Sequence, residues 1–258
     1  MNIPRKQSSL SVVIITKNEE GCIYDCIKSA SWADEIIVVD AGSTDGTVRI
    51  CQELGAKVSV QTKWLGFGPQ KNLALNLASK DWVLSIDADE VVSTSLKDEI
   101  QEAIQLNQAS VAFRIPRSSS YCGKFIKHSG WSPDYVLRLF PRAHGKFSED
   151  LVHEKVIFNG KIKSLKVPLI HTSYDDLEDV LDKTNRYSTA GASMMHANGK
   201  TSSLSKAILK GLWAFIRTYF IRLGFLDGRM GFVLAVSNAE ATYYKYLKLF
   251  LLSKQQNN

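Results

Sequence analysis

The chain of 258 residues lacks features that define several common protein classes. Its cysteines form no Cys-x-x-Cys pair and have no histidine at zinc-binding spacing, which argues against a zinc module and a disulfide framework. We expect reduced thiols in a cytosolic protein; the four are Cys22, Cys26, Cys51 and Cys122. No Gly-x-Gly-x-x-Gly follows the first predicted strand, which argues against a Rossmann dehydrogenase. The loop at 66–69 is not a Walker loop, because no Gly-Lys-Ser/Thr follows at the required spacing.

No export signal is expected from the first residues. Residues 1–10 are polar, and the apolar run at 10–15 is too short for a signal peptide, so we expect the catalytic part to stay in the cytoplasm. Acidic residues are scarce near the C-terminal end: from Lys200 onward nine basic residues accompany two acidic ones, giving +7 there and −1 elsewhere. A nucleic-acid enzyme would carry basic charge around its active site, so no nucleic-acid partner is expected. A cationic, apolar tail favours an anionic membrane surface.

Two carboxylates follow a short apolar run. The run at 82–86 has the length of a buried strand, and Asp87-Ala88-Asp89 comes directly after it. Buried charges are costly unless they are paired or bind a metal, and Mg²⁺ binds carboxylates together with substrate phosphates. The tripeptide therefore indicates either a metal–diphosphate site or an ordinary solvated loop.

Strand and helix patterns alternate over the first hundred residues. The predicted strands are 10–16, 35–39, 57–61 and 82–86, and the predicted helices are 19–30, 47–54, 70–78 and 94–105. This alternation predicts an α/β fold with a mostly parallel central sheet flanked by helices. Ligands bind beyond the carboxyl ends of such strands, where the polar clusters 16–19, 40–46 and 87–89 would converge.

The polar clusters also have simpler interpretations. Residues 43–45 are good helix caps in a glycine-containing turn, and Asn18 and Glu19 suit a helix start. A cap explains Asp40 less well, because this residue ends a buried strand and could accept hydrogen bonds from a ribose or a base.

Beyond residue 109 the pattern changes. Further strands are predicted at 111–116, 135–140, 155–158 and 161–167. Residues 147–154 (FSEDLVHE) hold three carboxylates and a histidine beside an aromatic residue, which suits a general base or a solvated strand edge. His171 follows the apolar strand 167–170 and is either structural or a ligand for a metal or phosphate.

Several motifs together resemble glycosyltransferase family 2, the inverting transferases with a GT-A fold. They are 12–19 (VVIITKNE), 37–47 (IVVDAGSTDGT) and 86–90 (IDADE), and 70–72 (QKN) matches the family's basic-residue–Asn step. A narrower likeness is to the lipopolysaccharide inner-core β-1,4-glucosyltransferases, the WaaE/KdtX subfamily. It lies in 136–140 (VLRLF), 151–154 (LVHE) and 169–171 (LIH).

The resemblance implies a role for each matched residue. The nucleotide-sugar pocket would be lined by Thr16, Asn18, Glu19, Asp40, Ser43, Asp45, Lys71, Asp87 and Ala88. Mg²⁺ or Mn²⁺ would be bound by Asp89 with Asp87 and His171. Glu154 is favoured as the catalytic base, with Asp150 as the alternative.

The implied reaction transfers a sugar from a UDP-sugar donor, with UDP-glucose as the best choice, and forms a β-linkage to a heptose of the lipid A–core oligosaccharide. Another cell-envelope glycan or glycolipid acceptor, a nucleotidyltransferase and a non-catalytic nucleotide-sugar binder are the alternatives. The implied domains are a GT-A catalytic domain over 1–175, with a nucleotide-binding part at about 8–108 and an acceptor part at about 109–175, and a helical extension over 176–258.

The helical extension is expected to be peripheral on the cytoplasmic face of the inner membrane. The segment 207–226 is apolar but carries three internal charges, too many for a spanning helix. Lys206, Lys210 and Arg217 fall on one helical face, which favours an amphipathic surface helix. The alternative is a helix that packs on the catalytic domain with its aromatic side chains inward; these are Trp213, Phe215 and Phe220.

Overall fold

The computed structural model describes residues 8–105, 110–149 and 154–255, which form two compact units. The first unit comprises residues up to Arg117 together with 134–171, and the second comprises 118–133 and the chain from Thr172 onward. The predicted domain boundaries near 108 and 175 stay predictions.

The first unit contains most of the strands. The elements begin with β1 (Leu10–Thr16), α1 (Ile23–Ala30), β2 (Glu35–Asp40), α2 (Thr47–Glu53), β3 (Lys57–Val60), α3 (Phe67–Leu77), β4 (Trp82–Ser85), β5 (Glu90–Val91) and α4 (Thr94–Gln105). They continue with β6 (Val111–Tyr121), β7 (Lys124–Phe125), β8 (Asp134–Pro141), β9 (Gly145–Phe147), β10 (Val156–Phe158), β11 (Lys161–Ser164) and β12 (Leu169–Tyr174). All of β7 and the last residues of β6 and β12 belong to the second unit.

The central sheet is mixed, with a parallel half formed by the first strands. Its strand order is β3-β2-β1-β4-β8-β6-β12-β5. The pairs β1–β2, β1–β4 and β2–β3 are parallel, whereas β8 pairs antiparallel with both β4 and β6. Thr16 is in register with Asp40, so the ends of β1 and β2 lie side by side. The predicted α/β sheet flanked by helices is confirmed.

Alternate residues of β1 enter two different cores. Val12 and Ile14 pack in a large cluster with residues of α1 and α4, whereas Val13 and Ile15 pack in a second cluster with residues of α3. Every residue of β1 is buried, as expected for a parallel strand covered by helices on both faces. The continuous apolar run in the sequence therefore reflects burial on both sides of the sheet.

Three local predictions differ from the structure. The first helix begins at Ile23 instead of residue 19, because residues 19–22 form a turn in which the Glu19 carbonyl accepts from the Cys22 and Ile23 N–H groups. The third helix begins earlier than residue 70, at Phe67, since Pro69 fits the first helical turn, where its missing N–H costs nothing. His171 does not follow a strand as predicted: β12 begins at Leu169 and His171 lies within it.

The second unit is mainly helical. Its helices are α5 (Leu177–Ala197), α6 (Leu204–Ile216) and α7 (Arg229–Gln255), with a π-helical segment at Arg217–Ile221 and a 3-10 turn at Gly224–Asp227. Ser203 caps α6 by accepting from the Lys206 N–H at 3.1 Å. Helix α7 packs against both α5 and α6.

One residue lets α6 and α7 approach closely. A Cβ atom at Gly211 would lie 3.0 Å from the Tyr243 Cβ and 3.2 Å from the Ala239 carbonyl oxygen. Substitution by any larger residue would therefore push the two helices apart.

The surface of the second unit is unusually apolar around α6. Trp213 and Phe220 are more than half exposed, and Phe215 contacts the rings of Tyr219 and Phe232. Whether this segment packs on the catalytic domain or binds a membrane surface stays a prediction. No helix within the described ranges is both long and apolar enough to cross a bilayer.

Candidate active site

The loops after β1 and β2 are joined by hydrogen bonds between backbone and side chains. The Asn18 N–H donates to Ser43 Oγ at 2.8 Å, and Asn18 Oδ1 accepts from the Thr44 N–H at 2.8 Å. Asn18 has a left-handed backbone (φ 56°), which asparagine tolerates better than most residues. These bonds bring two of the three predicted polar clusters together.

Asp40 shapes the second of these loops. Its carboxylate is buried; Oδ1 accepts from the Gly42 and Ser43 N–H groups at 2.9 and 2.8 Å, and Oδ2 accepts from the Ser43 hydroxyl. A buried carboxylate is stable in this position because backbone donors replace its water shell. Any contact of Asp40 with a ribose or base would come in addition to these bonds.

Asp45 fixes the beginning of α2. Its Oδ1 accepts from the Thr47 N–H at 3.1 Å and from the Thr47 hydroxyl at 2.6 Å. The small effect of burial on the Asp45 carboxyl is outweighed by these hydrogen bonds, which lower its pKa. Thr47 Oγ1 also accepts from the Glu19 N–H at 2.8 Å, so Glu19 and Asp45 are linked through one hydroxyl.

Lys71 connects the third polar cluster with the region of the predicted base. This residue lies on α3 and its side chain is almost fully buried. Its Nζ is 3.0 Å from Asp87 Oδ1, 2.7 Å from Glu154 Oε1 and 5.8 Å from the centre of the Phe147 ring. The favoured base and one carboxylate of the Asp87-Ala88-Asp89 tripeptide therefore share one ammonium group.

Arg138 holds the other side of Asp87. It lies in the middle of β8, is buried, and places Nη2 at 2.5 Å from Asp87 Oδ2 and 2.7 Å from Glu90 Oε1. Burial alone would raise the pKa of Asp87, but Arg138 and Lys71 hold it well below its usual range. Burial raises the pKa of Glu90 in spite of Arg138.

Asp89 lies next to His171. Asp89 Oδ2 is 3.3 Å from His171 Nε2, and the pairing of β5 with β12 sets Glu90 opposite His171. Over the described residues, 8–105, 110–149 and 154–255, no group of three or more His, Cys, Asp or Glu side chains is arranged to hold a metal ion. Asp87 already pairs with two cations, Lys71 and Arg138. Asp89 and His171 are the adjacent pair of side chains that could bind a metal ion.

A cleft of about 700 Å³ opens beside α3. Its lining includes Asn72, Asn76, Arg142 and Lys146, together with Glu149. Asn72 is fixed by a double hydrogen bond to the backbone of Phe147, at 2.9 Å in both directions. The cleft can therefore offer amide, cationic and carboxylate groups to a polar ligand.

Comparison with known proteins identifies the family. The family model described as "Glycosyl transferase family 2" matches residues 11–159, which is more than half of the chain. The chain belongs to glycosyl transferase family 2. It is therefore a glycosyltransferase, and the predicted resemblance to this family is confirmed. The narrower assignment to the WaaE/KdtX subfamily stays a prediction.

Two curated relatives of this family 2 enzyme align over nearly its whole length. An uncharacterized glycosyltransferase of Rickettsia typhi is 35% identical over 261 residues, covering 96% of this chain and 89% of that protein. The lipopolysaccharide core biosynthesis glycosyltransferase LpsC of Rhizobium meliloti is 30% identical over 252 residues, covering 93% and 92%.

The solved structure of S. aureus TarS residues 1–349 in complex with UDP-GlcNAc is similar in fold. The similarity has a TM-score of 0.50 and 18% identity, and it covers 96% of this chain and 92% of that one. With the mixed sheet and its flanking helices, it confirms the predicted GT-A fold.

Asp89 and His171 form a donor pair suited to a divalent cation. Mg²⁺ and Mn²⁺ commonly bind one or two protein side chains and complete their coordination with substrate phosphates and water. A carboxylate oxygen and an imidazole nitrogen 3.3 Å apart suit that minimal protein contribution. Asp89 and His171 fit the ion, whereas Asp87 fits better as a partner of Lys71 and Arg138.

Most of the predicted pocket residues lie in these networks. Ala88 is buried, and Thr16 is buried with no hydrogen-bond partner for Oγ1 among the described residues. Asp150, the alternative base, lies outside the described residues. The role of each predicted site residue stays a prediction.

Sequence reasoning assigned no role to Arg138, Glu90 or Gln70. Arg138 stands in the apolar run 136–140, and a charge in such a run signals a buried ion pair, although it does not say with which carboxylate. Gln70 is fully buried, and within the described part of the chain neither atom of its amide has a hydrogen-bond partner. Buried polar groups are nearly always satisfied, so Gln70 stands out as a candidate ligand contact beside Lys71.

Proposed function

We propose that this family 2 enzyme transfers glucose from UDP-glucose to a heptose of the lipopolysaccharide inner core, with inversion to a β-linkage. The acceptor class is supported by the alignment with LpsC, whose name places that protein in lipopolysaccharide core biosynthesis. It is also supported by the resemblance of 136–140, 151–154 and 169–171 to the inner-core β-1,4-glucosyltransferases.

The observation that carries the proposal is the pair of contacts made by Lys71. One ammonium group lies 3.0 Å from Asp87 and 2.7 Å from Glu154. A lysine so placed holds two nearby carboxylates side by side, since its opposite charge offsets their mutual repulsion. The Glu154 carboxylate is the group that can accept a proton, and Asp87 can help position a donor beside it.

The reaction then follows with Glu154 as general base. Glu154 removes the proton from the acceptor hydroxyl while that oxygen attacks the anomeric carbon of the donor. The bond from this carbon to the diphosphate oxygen breaks on the opposite face, and its electron pair leaves with UDP. Attack from the face opposite the leaving group converts an α-linked donor into a β-glycoside.

The leaving group requires compensation for its developing negative charge. A divalent metal bound by Asp89 and His171 would supply Lewis-acid stabilisation of the diphosphate. Lys71 would add a positive charge from the protein itself near the leaving diphosphate. The predicted contacts of Thr16, Asn18, Glu19, Asp40, Ser43 and Asp45 would hold the uridine.

The second unit would keep the enzyme at its lipid-linked acceptor. Its segment around α6 combines exposed apolar side chains, such as Leu209 and Trp213, with an excess of basic residues. This combination suits peripheral binding to an anionic inner-membrane surface on the cytoplasmic side. Flotation with anionic liposomes at low salt tests it, and protein that stays at the bottom would reject it.

Product analysis tests the transfer itself. The full chain is incubated with a divalent metal, a panel of UDP-sugars and a core oligosaccharide truncated at heptose, and UDP release and glycosylated product are measured. UDP-glucose should give the highest release and a β-glucosylated heptose. Glu154→Gln should lower turnover by about 10²–10⁴-fold, whereas Glu102→Gln, a matched change at an exposed position of α4, should have a much smaller effect. A different preferred donor or an acceptor other than heptose would contradict the specific assignment.

A further inference from the structure

A second cleft, of about 300 Å³, lies among the helices of the second unit. Three cationic side chains line it: Arg217, Arg222 and Lys245. Thr218, Asn238 and Thr242 add hydroxyl and amide groups. Among the described residues that line this cleft there is no carboxylate, so its lining is suited to an anion.

The π-helical segment after α6 places two of these cations in the cleft. The Arg222 N–H donates to the Arg217 carbonyl at 2.8 Å, a bond that spans five residues and marks the wider π-helical turn. Such segments occur often at functional sites. Here the turn puts Arg217, Thr218 and Arg222 in the wall of one cleft.

Two glycines leave room for the long side chains. A Cβ atom at Gly130 would lie 2.3 Å from Arg222 Nη1, and one at Gly191 would lie 2.9 Å from Lys245 Cδ. The side chains of Arg222 and Lys245 therefore rest directly against backbone, which restricts their positions. Restricted side chains lose less entropy when they bind a ligand.

The described residues form no ion pair with the charges in the cleft. No ion pair joins Arg217, Arg222 or Lys245 to a carboxylate of the described chain, whereas Lys183 in the same unit pairs with Asp179 at 2.8 Å. Three uncompensated cations around one small cleft raise its positive potential and attract a counter-ion.

We propose that this cleft binds the phosphate group of a membrane lipid. Arginine is suited to phosphate because its guanidinium can donate two parallel hydrogen bonds to phosphate oxygens, and the hydroxyls of Thr218 and Thr242 can add further donors. A carboxylate ligand would satisfy fewer of these donors. The proposal rests on the peripheral membrane association proposed above and gives it a defined headgroup site.

The lipid origin of the phosphate follows from the neighbouring side chains. Phe220 and Ile221 lie between Arg217 and Arg222 in sequence and are 55% and 59% exposed, and Leu223 is 44% exposed. A free phosphate ion makes no favourable contact with apolar side chains beside its site. A lipid phosphate at the membrane surface brings acyl chains that such side chains can contact.

The cleft can be tested without a membrane surface by measuring the affinity for a short-chain phosphatidic acid below its critical micelle concentration. Wild-type protein should bind it saturably and at least about tenfold more tightly than inorganic phosphate. Arg217→Gln with Arg222→Gln should weaken binding about tenfold or more, because charge-assisted hydrogen bonds to phosphate are lost. Lys210→Gln with Arg229→Gln removes the same charge outside the cleft and should leave affinity within about threefold. Lys245→Gln alone, checked by thermal unfolding, gives a second variant should the double variant fail to fold.

Three results would overturn the proposal: equal losses in both double variants, no saturable binding, or inorganic phosphate binding as tightly as phosphatidic acid. Flotation with vesicles containing phosphatidic acid then separates the two proposals. Soluble lipid binding without flotation supports the cleft and rejects the peripheral association. Flotation that falls equally in both double variants supports a diffuse charged surface and rejects the cleft.

Discussion

Lys71 Nζ lies 2.7 Å from Glu154 Oε1 and 3.0 Å from Asp87 Oδ1, and thereby ties the favoured base to the tripeptide predicted to face the donor. The lysine side chain is 7% exposed and that of Glu154 is 15% exposed. At this degree of burial the loss of one charge leaves its partners poorly solvated, so the contact has consequences for both stability and catalysis.

Replacing Lys71 by Met should impair both properties. The variant leaves Asp87 and Glu154 without their shared cation, and breaking a buried pair costs about 3–5 kcal/mol. We expect a loss of about 3 kcal/mol in the free energy of unfolding, measured with urea, and a fall in kcat/KM of at least about 100-fold. Adding Glu154→Leu to Lys71→Met should restore part of the stability while activity stays low. Activity that returns with stability would show that neither Lys71 nor Glu154 takes part in the chemistry.

Asp89 and His171 should control the metal requirement. Asp89→Asn removes a charged oxygen ligand, and we expect the Mn²⁺ concentration for half-maximal activity to rise about 10–100-fold, with a smaller rise for His171→Gln. Asp98→Asn, on the exposed face of α4, is the matched control and should leave the metal titration unchanged. An unaltered titration in Asp89→Asn would place the metal elsewhere.

Arg138 should be a major determinant of stability in the first unit. Arg138→Met leaves Asp87 with Lys71 alone and the fully buried Glu90 with only the more distant Arg117 at 3.7 Å, so we expect a loss of about 3 kcal/mol in the free energy of unfolding. The pKa of Asp87 should rise in this variant, because the larger of the two attractions that lower it is removed. Arg114→Met on strand β6 removes a hydrogen bond to Ser164, which is exposed at the surface. It should lower the free energy of unfolding by less than about 1 kcal/mol. Similar losses in both variants would mean that the buried ion pairs add little.

The sequence predicts those parts of the fold that depend on local pattern. The bounds of β1 and α4 are predicted to the residue, because an apolar run and an amphipathic period each end at a sharp change in polarity. The family motifs also indicate that Asn18, Asp40 and Asp87 come together. The start of α1 is predicted wrongly, because Asn18 takes a left-handed conformation that no period in the sequence reveals.

Long-range ion pairs are the part that the sequence does not reveal. Arg138 is 51 residues from Asp87 and Lys71 is 83 residues from Glu154, and either cation could have faced other carboxylates. The sequence also does not reveal the hydrogen-bond partners of Glu35, although its pattern places this residue at the start of a strand. Its partners Ser11 and Ser79 lie 24 and 44 residues away, and only the folded sheet brings them together.

Glu35 should make the first unit sensitive to acid. Burial alone would raise the pKa of its carboxyl, but hydrogen bonds from Ser11, Ser79 and Lys57 outweigh burial and lower it from 4.5 to about 2. Because the folded-state pKa lies below the unfolded-state value, the unfolded chain takes up a proton first as the pH falls. The stabilisation is therefore complete above about pH 5 and is lost between about pH 4.5 and 2, with a size of about 3 kcal/mol.

Glu35→Gln isolates this contribution. The difference in unfolding free energy between wild type and variant should be constant above about pH 5 and should shrink as the pH falls through the range from 4.5 to about 2. Glu53→Gln is the control, because Glu53 pairs with Arg49 at the surface, with side chains 60% and 67% exposed, and should give a small, nearly flat difference. Urea unfolding across this pH range measures both. A difference for Glu35→Gln that does not change with pH would mean that the folded and unfolded states bind the proton equally, and that the hydrogen bonds around this carboxylate do not favour its charged form.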